Sequence, residues 1–160
     1  MTGATLVVGL GRGDRGDDGV GPAVARAVAS RLSPDAPVRV LEQEDPTALL
    51  DLWEGHDHVV VVDAVVTGGP AGSLHRFDLG ATGSPLPPEV RADRGGTHAF
   101  GLATAVELAR ALRRLPARVV VVGVEAGQVD TGSTLSAPVA AAVDAATALV
   151  WEEVAVDVPG

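Results

Sequence analysis

The sequence has no cysteine, and all 12 of its basic residues are arginine, so lysine is missing too. Without thiols there is no disulfide framework, no cysteine nucleophile and no thiolate metal site. Without lysine there is no Schiff-base chemistry and no phosphate-binding lysine of a P-loop. Aromatic residues are only 2%, so the core must be built from Val, Ala and Leu. Positive charge is also scarce. The formal net charge of -9 leaves no basic stripe for nucleic acid or for an anionic membrane surface. The apolar runs are strand-sized, far short of a membrane span, and no basic n-region with an apolar h-region opens the chain. The expectation is a soluble cytoplasmic protein without nucleic-acid or membrane partners.

What is present is a core. Hydrophobic residues make up 46% of 160 positions, enough for one domain, expected over 1–155 with a loose tail at 156–160. TLVVG (5–9), VRVLE (38–42), HVVVVDAVV (58–66) and RVVVVGVE (118–125) read as strands, the apolar runs among them as strands buried on both faces. SLHRFDL (73–79) mixes in polar residues, as an edge strand does. Val20, Val24, Val28 and Leu32 recur every four residues and make one helical stripe. Asp45-Pro46 starts a second helix running to about Glu54. Thr97 is expected to cap a helix over about 98–114, and a last helix spans about Ser136–Glu153. Residues 80–97 are too long for a simple connection. Strands alternating with helices predict an α/β fold with a mostly parallel sheet covered on both faces.

In such sheets ligands sit beyond the carboxyl ends of the strands. Those ends carry Asp17 and Asp18 after the first strand, Glu42 after the second, Asp63 in the third and Glu125 at the last. Asp18 has a bland explanation as a helix N-terminal acid, but that does not explain two adjacent acids. Asp63 ends a valine run, where an acid caps a turn or faces a cleft, and His98 follows Gly-Gly-Thr at a helix start. Grouped by their common address, Asp18, Asp63 and His98 offer two carboxylates and an imidazole. That set suits a divalent transition ion and leaves coordination positions open, as catalytic sites do. A Gly-x-Ser-x-Gly elbow is absent, which gives nucleophile chemistry little support. Among the other histidines, His56 and His58 should diverge to opposite faces as their strand begins, and His75 should face solvent.

A dinucleotide reading competes. Gly11-x-Gly13-x-x-Gly16 has the GxGxxG spacing between a strand and a helix, and Glu42 stands where a ribose-binding acid belongs. Against it, Asp17 and Asp18 would set two carboxylates beside a pyrophosphate.

Four segments carry a family likeness: VVGLGRGDRGDDGVGP, VVVVDAVV, GGTHAFGLATAVEL and VVGVEAGQVDTGSTLSAPV. In this order, across nearly the whole chain, they resemble the hydrogenase maturation proteases. These endopeptidases trim the C-terminal tail of a nickel–iron hydrogenase large-subunit precursor. The resemblance implies a three-layer sandwich around a mixed, mostly parallel five-stranded sheet with one antiparallel strand, for which SLHRFDL is the candidate. It implies Asp18, Asp63 and His98 as the residues that bind metal and bring the scissile peptide into place. Nickel would arrive in the precursor, and cadmium or another divalent ion would substitute for it in crystals. The enzyme is expected to act as a monomer on that precursor. The alternatives are a non-catalytic metal- or precursor-binding chaperone on the same fold, or a dinucleotide-binding protein. One departure stands out: Arg12 occupies the position after Gly-x-Gly where the family usually has Asn, a residue that accepts left-handed backbone angles more readily. Either Gly13 absorbs that strain, or Arg12 contacts a different substrate.

Overall fold

Valine projecting from both sides of a strand needs an apolar layer on each face of the sheet. The computed structural model, which describes residues 4–80, 101–127, 132 and 134–155, meets that need. Its strands are β1 (Thr5–Leu10), β2 (Val38–Gln43), β3 (His58–Val65), β4 (Leu74–Asp78) and β5 (Arg118–Glu125). Its helices are α1 (Val20–Arg31), α2 (Leu49–Leu52), α3 (Leu102–Ala111) and α4 (Ala137–Ala155). The strands form one five-stranded sheet in the order β2-β1-β3-β5-β4. All neighbours are parallel except β4, which runs antiparallel to β5 at the edge, as expected of SLHRFDL.

Strand alternation divides the core in two. Val7, Val60, Val62, Val120 and Val122 face α1 and α4. Leu6, Val8, Val59, Val61, Val119 and Val121 face α2 and α3, with Trp53 as the largest buried side chain. No helix among the described residues is long and apolar enough to cross a membrane.

Strand boundaries agree with expectation to within a residue at each end. The second helix begins as a 3-10 turn (Pro46–Ala48), whose cap Asp45 accepts from the Thr47 N–H at 3.0 Å. The helix expected over 98–114 is shorter. Gly101, at φ -80° and ψ -142°, is not helical and serves as the N-cap of α3. At the other end Arg113 takes a left-handed φ of 57°. The Arg114 N–H then returns to the Ala109 carbonyl at 2.8 Å and the Arg113 N–H to Arg110 at 3.2 Å, closing the helix. The expected Thr97 cap, all of the long connection at 80–97 after Gly80, and the tail at 156–160 lie outside the described residues.

The strand order fixes where a ligand can sit. The chain leaves β1 through α1 to reach β2 on one side, while β3 lies on the other side of β1. The segments after β1 and β3 therefore part at this point, where open α/β sheets form their ligand crevice.

Candidate active site at the carboxyl end of the sheet

The loop after β1 is shaped by glycines at positions that exclude a side chain. Gly11 (φ 133°) and Gly16 (φ 57°) take backbone angles that L side chains rarely adopt. A Cβ on Gly21 would lie 2.2 Å from the Leu10 carbonyl oxygen and 2.6 Å from that of Val62. The first turn of α1 thus rests on the ends of both β1 and β3. Arg12 needs no left-handed angle, and neither does Gly13; Gly11 and Gly16 carry the turn instead. The Arg12 side chain reaches Asp14 at 3.1 Å on the surface.

Asp17 and Asp18 lie in the 3-10 turn Gly16–Gly19 and are both buried, at 0% and 4% exposure. The Asp18 carboxylate accepts the Arg12 N–H at 2.7 Å across the loop. The N-cap position of α1 itself is Gly19, one residue beyond Asp18. Asp17 turns the other way. Its Oδ2 accepts from the Gly127 N–H at 2.7 Å and the Ser136 hydroxyl at 2.8 Å, and its Oδ1 from the Ser136 N–H at 2.6 Å. These bonds tie the loop to the connection between β5 and α4. A second tie runs from the Gly132 N–H to the Asp14 carbonyl at 2.6 Å.

Asp63 is a half-buried residue of β3, paired in register with Gly123 of β5. By alternation from Val59 and Val61 it faces the α2–α3 side. The Gly16–Gly19 turn packs against β3, so Asp18 and Asp63 come from adjoining strand ends across the crevice. His98, the third predicted ligand, lies outside the described residues. Among the described residues no three His, Cys, Asp or Glu side chains converge as a metal group.

Glu125 closes β5 at 1% exposure. Its carboxylate accepts from the Thr67 N–H at 2.7 Å, from the Thr67 hydroxyl, and pairs with His75 Nε2 at 3.1 Å. Burial pushes this carboxyl up, but the two Thr67 donors and the His75 ring together hold it below its ordinary value. His75 is not solvent-facing as expected. It sits between Glu125 and Phe77, on which its ring stacks at 6.0 Å. The signal was available in principle, because alternation places His75 and Phe77 on one side of β4. His56 and His58 do diverge. His56 meets the Ala4 carbonyl, and buried His58 faces Glu153 of α4 at 3.8 Å.

The loop is poorly suited to a pyrophosphate. The Arg12 N–H is taken by Asp18, the Arg15 N–H by Arg12 and the Asp18 N–H by Arg15, so these amides point inward. Glu42 is exposed and lies 3.4 Å from Arg26.

No curated protein matches the sequence. Among solved structures, the chain is similar to the hydrogenase maturating endopeptidase HybD from E. coli, at 22% identity and a TM-score of 0.79 over 95% of this chain and 92% of that one. The nickel–iron hydrogenase maturation protease HybD from Thermococcus kodakarensis is 26% identical, with a TM-score of 0.72 over 93% and 97%. A hydrogenase 2 maturation peptidase from a Thaumarchaeota archaeon is 28% identical, with a TM-score of 0.66 over 95% and 98%. The family model for hydrogenase maturation protease matches residues 22–153, a span that contains Asp63 and His98 and begins just after Asp18. This chain belongs to the hydrogenase maturation protease family and is an endopeptidase.

Proposed function

We propose that this endopeptidase removes the C-terminal extension of a nickel–iron hydrogenase large-subunit precursor after nickel insertion, and that Asp18, Asp63 and His98 meet the nickel held by that precursor. The observation that carries this reading is the placement of Asp18 and Asp63 at adjoining strand ends of the β1/β3 crevice, one on each of the two diverging segments. Two carboxylates and an imidazole are hard-to-borderline donors that suit a divalent transition ion already partly coordinated by its carrier. Nickel in the substrate would supply a Lewis acid close to the scissile carbonyl. The chain's part is to grip and orient. Asp18 is held on the loop by the Arg12 N–H, and Asp63 is fixed by the strand pairing of β3 with β5. Cleavage would then follow only when nickel completes the contact.

The test is Asp63→Asn, which keeps the volume of the side chain and removes its charge. The variant is expected to fold like the wild type by circular dichroism. Processing of a nickel-loaded precursor, read on a gel as loss of the tail, should fall by roughly a hundredfold or more. Normal processing by a folded Asp63→Asn protein would sink the site assignment.

A further inference from the structure

Asp18 and Asp63 belong to segments that part from each other, so something must fix the distance between them. Hydrogen bonds form a continuous path from the loop of one to the strand of the other. Asp17, next to Asp18, binds the Gly127 N–H and both Ser136 donors. One residue before Gly127, the Ala126 N–H bonds the Val65 carbonyl at 2.8 Å, two positions beyond Asp63 on β3. Gly127 itself leaves little slack, because a Cβ there would lie 3.0 Å from the Ala71 methyl and 3.5 Å from Asp17 Oδ2. We infer that Asp17 is a positioning residue, a buried brace that sets Asp18 against Asp63 through the β5–α4 connection. This inference rests on the reading that Asp18 and Asp63 meet the substrate's metal.

A carboxylate suits the task, since two acceptor oxygens can serve three donors and offer none to compete. An asparagine would turn one acceptor into a donor facing N–H groups. Asp17→Asn is therefore expected to lower kcat/KM for a nickel-loaded precursor by roughly 10- to 100-fold, mostly in kcat. Ser136→Ala deletes one donor, keeps the carboxylate and should give a smaller fall in the same direction. Val28→Ala, a cavity variant in the α1 face of the core, is the control for lost stability. Below its melting transition it should cleave at the wild-type rate. The positioning role is overturned if folded Asp17→Asn and Ser136→Ala cleave as the wild type does. It is equally overturned if their losses match that of Val28→Ala at the same drop in melting temperature. A wild-type enzyme that leaves the nickel-loaded precursor uncut overturns the functional reading, and the brace with it.

Discussion

The two ends of the sheet hold their acids in different ways. At the amino end Glu153 faces two arginines, Arg76 at 2.6 Å and Arg118 at 3.7 Å, and the His58 ring at 3.8 Å. Nearby, Arg114 lies between Asp51 and Glu54, each at 3.3 Å. At the carboxyl end Asp17 is met by backbone N–H groups and a hydroxyl, and Glu125 by Thr67 and an imidazole. Arg15 stands in the same loop as Asp17 and Asp18, yet among the described residues its buried Nε has no hydrogen-bond partner. Arginines neutralise acids, whereas neutral donors hold them without cancelling their charge. Among the described residues, these hydrogen bonds fix the carboxylates of Asp17 and Glu125 in place at the carboxyl end, where the ligand of such a sheet sits. The amino end is a surface held by exposed pairs.

Geometry gives the sharpest way to break this contrast. Gly21→Ala would push a methyl into two main-chain carbonyls, those of Leu10 and Val62, which cannot rotate aside. The expected cost is about 3 kcal/mol, the upper end of the usual overpacking range, read from urea unfolding. Gly13→Ala in the same loop meets nothing within 4 Å among the described residues and should be nearly neutral. Equal effects of the two would mean that the loop is not seated on β1 and β3 as described.

How much of this was legible beforehand depends on sequence distance. The valine runs of β3 and β5 announced strands buried on both sides, and Asp63 stood out because it interrupts one. The family likeness singles out Asp18, but the different part that Asp17 plays cannot be read from their shared turn. What separates them is Ser136 and Gly127, 119 and 110 positions from Asp17. The surroundings of His75 escape local pattern for the same reason, because its partner Glu125 is 50 positions away. The start of α3 was missed because Gly101, inside an otherwise helical pattern, takes an extended ψ that only its surroundings select. Local pattern gave the elements and the acid-rich end. Division of labour among the acids is a product of tertiary hydrogen bonding.

Acid is the next lever. Glu125→Gln turns one acceptor into a donor against the Thr67 N–H, and should cost about 1–3 kcal/mol near neutral pH. The folded carboxyl titrates below its ordinary value of 4.5, so it contributes stability above that pH and loses it as pH falls through the lowered folded value. The gap in melting temperature between wild type and Glu125→Gln should therefore be full above pH 4.5 and close under more acidic conditions. A gap that widens in acid would show that the Thr67 and His75 contacts do not favour the ionised form.

The smallest effect belongs to the amino end. Glu153→Gln removes the shared anion of Arg76, Arg118 and His58, yet Arg76 and Arg118 have side chains 41% and 51% exposed. Both Arg76 nitrogens also meet the same oxygen, Oε1, so the pair lacks the two parallel bonds of a fork. The expected loss is below about 1 kcal/mol. It should shrink further when urea unfolding is repeated in high salt, because exposed pairs are screened. Cleavage should be untouched, since Glu153 lies at the far end of α4 from the Ser136 contact. A loss of several kcal/mol, or of activity, would mean that this cluster is braced like the carboxyl end, and the distinction between the two ends would fall.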